Sequence, residues 1–277
     1  MAHSEHHADD WRVKLVLHYD GRDFRGWQSQ SGQRTVQGEL SALLERLCGE
    51  TSGRLTAAGR TDRGVHATGQ VASALIPERW SPLELRSALN AHAPPDLWVA
   101  SAEESHLEFH PRHDAISRTY VYRVGVGPDS HSPFMAPWCW PLQRDLDLAR
   151  MREATRSIVG SHDFSSFGKA GQPQRGVRCR VFEASWREST SRPGILEFEI
   201  SANRYLHRMV RYLVGTLVEV GQGRRRLEEV AGLLQREAGI RAAWPAPPQG
   251  LFLTRVEYST GDQTASRQEL RAKGDST

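Results

Sequence analysis

Apolar and polar positions alternate through Trp11–Tyr19 (WRVKLVLHY), with Val13, Leu15 and Leu17 on one side, which predicts a strand with one buried face. A polar stretch rich in Gly, Ser and Gln follows as far as Thr35. The period then changes. Val36, Leu40, Leu43, Leu44 and Leu47 recur at helical spacing, with Thr35 placed as N-cap and Gly49 as the stop. Residues 55–58 and 65–76 read as two strands flanking a polar turn, and Ser81-Pro82 opens a second helix reaching about Ala91. A strand over residues 96–102 follows the Ala93-Pro94-Pro95 break. The order is β-α-β-β-α-β.

The second part repeats that order in outline. A strand is expected over residues 118–126, a helix over 147–159, a strand pair over 177–187 and 194–201, and a helix over 206–220. The stripe of that last helix is Leu206, Val210, Leu213, Val214 and Leu217, while Arg204, His207 or Arg208, and Arg211 fall at helical spacing on another face. A shorter helix over 227–236 and a closing strand Leu251–Tyr258 complete the chain. The expected fold class is α+β: two ferredoxin-like or RRM-like halves with antiparallel sheets, joined around a central cleft. The expected organisation is a disordered leader over 1–10, an N-terminal domain over 11–105, a C-terminal domain over 106–258 and a disordered tail over 259–277. The polar residues 106–115 (HLEFHPRHDA) read as the connector and 168–175 as a flexible basic loop.

Composition narrows the classes. In 277 residues no apolar run is long enough to span a membrane, and the polar start MAHSEHHADD has no secretory pattern. Cys48, Cys139 and Cys179 are too far apart for a disulfide framework or a zinc pattern, so a cytoplasmic location is expected and no metal site. Net charge is +3, and nearly all the basic residues are Arg, a side chain suited to bidentate phosphate contacts and to stacking on bases.

The candidate chemistry lies in the turn between the second and third strands, AAGRTDRGVHATGQV. Gly59, Arg60, Thr61, Asp62, Arg63, Gly64 and His66 crowd into it between apolar runs. Asp-Arg-Gly alone is ordinary turn chemistry. Arg60 and Asp62, two apart, share a face in extended backbone, where the guanidinium would keep the carboxylate ionised. Such an Asp, with no second carboxylate and no metal-ligand spacing beside it, suits a nucleophile or base. Trp27 in the preceding loop reads as a hydrophobic anchor, with base stacking as the alternative.

The stretch GRTDRGVHA closely resembles the catalytic motif of the TruA family of tRNA pseudouridine synthases. The resemblance extends over most of the chain. It takes in Tyr19-Asp20-Gly21 with Gly26-Trp27-Gln28, Arg118-Thr119-Tyr120-Val121-Tyr122, Met209-Val210-Arg211 with Gly215-Thr216-Leu217, and Gly250-Leu251 with Leu253 and Tyr258. Arg63 stands where the family usually has Ala, and Asn203-Arg204-Tyr205 replaces the usual small residue before an aromatic.

The resemblance implies the pseudouridine synthase fold and isomerisation of uridine at positions 38, 39 and 40 of the tRNA anticodon stem-loop, by a homodimer without a cofactor. It makes Asp62 the nucleophile, Tyr120 the residue stacking on the flipped uracil, Arg211 the charge partner of Asp62, and Arg60 the residue holding the target nucleotide out of its stack. His66, Arg63, Arg178 and Arg208 are expected to bind the RNA substrate, with Arg25, Arg112, Arg175 and Arg204 as further basic candidates. Three other readings stay open: a non-catalytic RRM-like RNA-binding protein, an unrelated Asp-based hydrolase or lyase, and a pseudouridine synthase with another target position.

Overall fold

A computed structural model describes residues 10–49, 55–169 and 176–259. The expected tail beyond Ser259 and the leader before Asp10 lie outside the described residues, as do residues 170–175 of the basic loop, Arg175 among them. The chain forms two compact units, Met1–Ile116 with Arg255–Thr277, and Ser117–Thr254.

In the first unit, β1 (Trp11–Tyr19) lies between two antiparallel neighbours. These are β3 (His66–Ile76), in register from Trp11↔Ile76 to Tyr19↔Ala67, and β4 (Leu97–Ser105). The two-residue β2 (Thr56–Ala57) adds to β3, giving the order β4-β1-β3-β2. Alternation in β1 is complete: Val13, Leu15 and Leu17 are buried and the residues between them are half-buried.

Helix α1 (Val36–Cys48) starts where Thr35 accepts from the Gly38 N–H, and it ends at Gly49 with φ 83°. Helix α2 (Pro82–His92) starts with a full capping box between Ser81 and Glu84. It packs along β4, and its Leu85 and Leu89 are buried. Residues 106–115 belong to this unit. Phe109 is buried against Tyr258, whose hydroxyl donates to the Pro111 carbonyl at 2.9 Å.

In the second unit, β5 (Ala115–Gly125) pairs antiparallel with β9 (Ile195–Ala202), and β9 with β8 (Arg178–Glu188). The short β6 (Trp140–Pro141) runs parallel to the end of β5. Helix α3 (Leu148–Arg156), capped by Asp147, packs on β8 and on α4 (Met209–Gly221). Helix α5 (Glu228–Gln235) follows, then β10 (Leu251–Tyr258), of which residues 251–254 belong to this unit. Thr254 of β10 donates its hydroxyl to the Thr119 carbonyl of β5.

Two sequence expectations need correction here. Residues 160–163 form β7 (Gly160–Asp163), a strand on the edge of β8 that the polar Gly-Ser-His-Asp pattern did not announce; its ladder runs from Gly160↔Val181 to Asp163↔Arg178. Helix α4 begins at Met209, three residues later than its apolar stripe suggests. The His207 N–H is taken by the Lys169 carbonyl at 3.0 Å, and Arg208 adopts a left-handed φ of 62°. Arg204, His207 and Arg208 are therefore not on a helical face with Arg211.

Candidate active site

The loop joining β2 to β3 is shaped by its own sequence. The Val65 N–H donates to the Asp62 carbonyl at 3.1 Å, closing a turn over Asp62-Arg63-Gly64-Val65. Gly64, third in that turn, has φ 78°, the conformation a type II turn demands there and that glycine supplies without strain. Arg63 is consequently exposed at the turn's corner, while Asp62 at its start is half-buried.

Three contacts brace the loop from the first polar segment of the chain. Trp27 is buried and donates its backbone N–H to the Thr61 carbonyl at 3.1 Å, so it anchors the loop rather than offering a stacking face. Gly26, at φ 97°, lies so near that a Cβ there would stand 2.8 Å from the Thr61 carbonyl oxygen. Gly21 packs against Val65 in the same way, where a Cβ would overlap the backbone.

From beneath, two side chains of the sheet hold the loop. Tyr19 shares a 2.8 Å hydrogen bond between its hydroxyl and Thr61 Oγ1. Gln70 donates its amide to the Gly59 carbonyl at 2.8 Å. Burial pushes the Tyr19 hydroxyl up to about 12, its bonds to Thr61 and Gln70 pulling the other way, so it remains a neutral phenol. This network has no signature in the sequence beyond a Tyr and a Gln at inward positions of β1 and β3.

His66, expected to touch substrate, is buried instead. Its Nδ1 accepts the Gly21 N–H at 3.1 Å and lies 3.2 Å from Asp20 Oδ1. While it accepts from Gly21, Nδ1 carries no proton for Asp20. Burial opposes ionisation of Asp20, but the Arg22 guanidinium and the Arg22 backbone N–H, both donating to its carboxylate, outweigh it and hold the carboxyl well below the usual carboxylate range. His66 thus braces the floor of the loop.

Arg60 is exposed, and it lines a cleft of about 250 Å³ together with Gln28, Gln37, His110, Arg112 and His113. Arg60, Asp62, Arg63 and His66 are therefore gathered on one short segment of the first unit.

The other expected site residues belong to the second unit. Tyr120 lies on β5 opposite Ile200, largely buried, with its ring edge-on to Tyr205 at 5.0 Å between centroids. Tyr205 is fixed in turn by its hydroxyl, 2.9 Å from the carbonyls of both Arg118 and Ile200. Arg211 is in the first turn of α4, where its Nε–H donates to the Ala246 carbonyl at 2.7 Å and its own carbonyl accepts the Ala246 N–H at 2.9 Å. It lies near Tyr122, whose hydroxyl is raised well above its ordinary value by burial against the pull of that guanidinium. Arg178 is exposed at the start of β8, and Arg208 is exposed in the left-handed residue before α4.

Among the described residues no group of three or more His, Cys, Asp or Glu could hold a metal ion, and no helix is long and apolar enough to cross a membrane.

Comparison with known proteins matches the chain to a family model described as tRNA pseudouridine synthase over residues 15–114 and 154–259. Proteins named tRNA pseudouridine synthase A are similar over nearly their full length. The one from Geobacillus sp. (strain WCH70) is 38% identical, with 89% of this chain and 98% of that one covered. The one from Solidesulfovibrio magneticus is 41% identical, with 89% and 91% covered. The one from Geobacter sulfurreducens is 40% identical, with 89% and 99% covered. Among solved structures, an archaeal box H/ACA sRNP Nop10-Cbf5 complex aligns over 91% of this chain and 49% of that one, at 12% identity and a TM-score of 0.35. The extent of the family match and the identity to these relatives together place the chain in the tRNA pseudouridine synthase family, isomerases of the TruA type.

Proposed function

We propose that this chain isomerises uridine to pseudouridine at positions 38, 39 and 40 of the tRNA anticodon stem-loop, with Asp62 as the nucleophile and no cofactor. The reaction breaks the N-glycosidic bond, rotates the uracil and rejoins it to the sugar through C5; the C5 proton is lost and N1, freed from the sugar, takes up a proton in its place. It is redox-neutral and adds no atoms. The observation that carries the assignment of Asp62 is the bracing of its loop: a half-buried carboxylate opens a type II turn held by Gly26, Trp27, Tyr19 and Gln70. Catalytic groups need positioning of this kind, because a nucleophile displaced by an ångström loses most of its advantage.

The remaining roles follow the resemblance. Asp62 attacks the target nucleoside at the sugar C1′ or at C6 of the base. Tyr120 stacks on the flipped uracil and is the candidate to receive the C5 proton. Arg211 is the proposed charge partner of Asp62, and Arg60 holds the target nucleotide out of its stack. Arg63, Arg178 and Arg208 are proposed as RNA contacts, which their exposure supports. The working form is proposed to be a cytoplasmic homodimer, to be checked by sedimentation of the purified chain.

The test is tritium release from 5-tritiated uridine in unmodified tRNA, with mapping of the modified positions, for wild type and Asp62→Asn. Release at positions 38–40 by the wild type, and binding without release by the variant, is the expected result. Wild-type binding without release would favour a non-catalytic RNA-binding protein. Full activity in the variant would remove Asp62 from the role.

A further inference from the structure

Arg60 apart, the residues lining the cleft beside it have no part in the chemistry above, and its composition is one-sided. Arg60, Arg112, His110 and His113 line it, with the amides of Gln28 and Gln37, and no carboxylate is among its described lining residues. The nearby carboxylate, Asp114, is engaged by the His110 backbone N–H at 2.7 Å.

The His110 ring is set by its own turn. Its Nδ1 accepts the backbone N–H groups of Arg112 at 3.1 Å and His113 at 3.3 Å, so in the neutral ring the proton is on Nε2. Burial and the neighbouring His113 both lower the His110 pKa and favour that neutral form. The two rings lie 4.1 Å apart between centroids.

The walls are fixed as well. Gln37 Oε1 accepts from Gln28 Nε2 at 2.7 Å and from the Ser29 N–H at 3.0 Å, while its own amide donates to the Leu55 carbonyl at 3.0 Å. Pro111 and Phe109, flanking His110, are held by Tyr258. This is a preformed pocket lined by hydrogen-bond donors, with two guanidinium groups among them, which suits an anion with several acceptor oxygens.

We propose that this cleft binds a phosphodiester group of the RNA, belonging to a nucleotide that flanks the target uridine, with Arg112 and Arg60 as charged donors and His110 and His113 completing the shell. The position follows from the chain: Arg60 and Asp62 are two residues apart, at most about 7 Å along the backbone, so an RNA presenting a nucleotide to Asp62 passes the cleft with its neighbouring backbone. The inference rests on the reading of tRNA as the substrate. It adds a positioning site that fixes the register of the strand, a task phosphate contacts perform without reading sequence.

The experiment uses the full chain carrying Asp62→Asn, so that bound RNA is not turned over, and unmodified tRNA ethylated at random phosphates. Ethylation at one phosphate beside the target nucleotide is expected to block binding. With Arg112→Gln added, that position should lose its sensitivity, affinity at low salt should fall about tenfold, and the slope of log K against log salt should shrink by about 0.7–0.9. Arg112→Lys should restore part of the slope. Unchanged affinity and slope, or weaker binding with interference kept at the same phosphate, would overturn the proposal. If Arg112→Gln does not fold by thermal melting, the exposed His113→Gln is used, with loss of interference at that phosphate as the criterion, since the change removes a hydrogen-bond donor and not a fixed charge. Failure of the parent chain to bind any tRNA would defeat the functional reading itself, a different result from binding without phosphate interference.

Discussion

Gly26 and Thr61 meet backbone to backbone: a single added carbon on Gly26 would stand 2.8 Å from the Thr61 carbonyl oxygen and 3.3 Å from the Asp62 carbonyl carbon. Gly26 also holds φ 97°, a region that residues with a Cβ rarely occupy. The loop bearing Asp62 is thus seated on a position with no room for a side chain. Gly26→Ala is expected to cost about 1–3 kcal/mol from the dihedral alone. It should lower the rate of tritium release far more than it lowers the melting temperature, because the clash is relieved by moving the catalytic loop. A variant with wild-type turnover would show that the seat is not needed for catalysis.

Tyr19 and Gln70 should show the opposite balance. Tyr19→Phe removes a buried hydroxyl and leaves Thr61 Oγ1 without that bond, a loss of about 1–2 kcal/mol. Gln70→Leu leaves the Gly59 carbonyl without its amide donor at a similar cost, with shape largely kept. Because both act on the same loop, the double variant is expected to be less destabilised than the sum of the singles. Urea unfolding of the four proteins measures the coupling. Strict additivity would mean that the two bonds do not act on a common element.

These contacts mark the limit of what the sequence discloses. The first half was legible because its signals are local: alternation in residues 11–19, Thr35 and Gly49 around one helix, Ser81-Pro82-Leu83-Glu84 opening the next. The start of α4 was misplaced because Leu206 continues the apolar stripe of Val210, Leu213 and Leu217. What stops the helix there is a long-range backbone bond from His207 to Lys169. Strand β7 was missed because it is a short edge strand whose pairing to β8, not its composition, defines it. At the site, the turn and its Asp were readable from Asp-Arg-Gly. The bracing by Tyr19 and Gln70 was not, since a Tyr and a Gln in strands look like ordinary inward positions until the register places them under Thr61 and Gly59. His66 was assigned to substrate by resemblance, and the structure places it in the floor.

Asp20 gives a pH prediction. Its folded carboxyl titrates well below the usual carboxylate range, hydrogen bonds from the Arg22 guanidinium and backbone N–H overcoming the burial that opposes ionisation. A depressed folded pKa means that the unfolded chain binds the proton more readily. The stabilisation is therefore complete above the unfolded pKa and is lost as pH falls from about 5 through 4 toward the folded value. Asp20→Asn should flatten the acid side of the stability profile over that window and leave the slope above pH 6 unchanged. Urea midpoints at half-unit steps from pH 3 to pH 7 test this. An Asn variant with the same acid slope as wild type would show that other carboxylates govern it.

Arg211 is gripped by two bonds that differ in what they require. The Ala246 N–H to Arg211 carbonyl bond needs only backbone, whereas the Nε–H to Ala246 carbonyl bond at 2.7 Å needs a guanidinium. Arg211→Lys keeps the charge and the backbone bond but has no Nε–H, and its ammonium rotates on a flexible stem. Stability should fall by only about 0.5–1.5 kcal/mol, the ordinary worth of one hydrogen bond. If the guanidinium is what holds the nucleophile ionised and aimed, the single-turnover rate should fall by about 100-fold while tRNA affinity changes less than about threefold, since the loss is confined to the chemical step. Arg211→Gln, which removes the charge as well, should be slower again. Equal rates for Lys and Gln would assign the effect to geometry at Ala246, and a wild-type rate for Lys would mean that any cation at this position suffices.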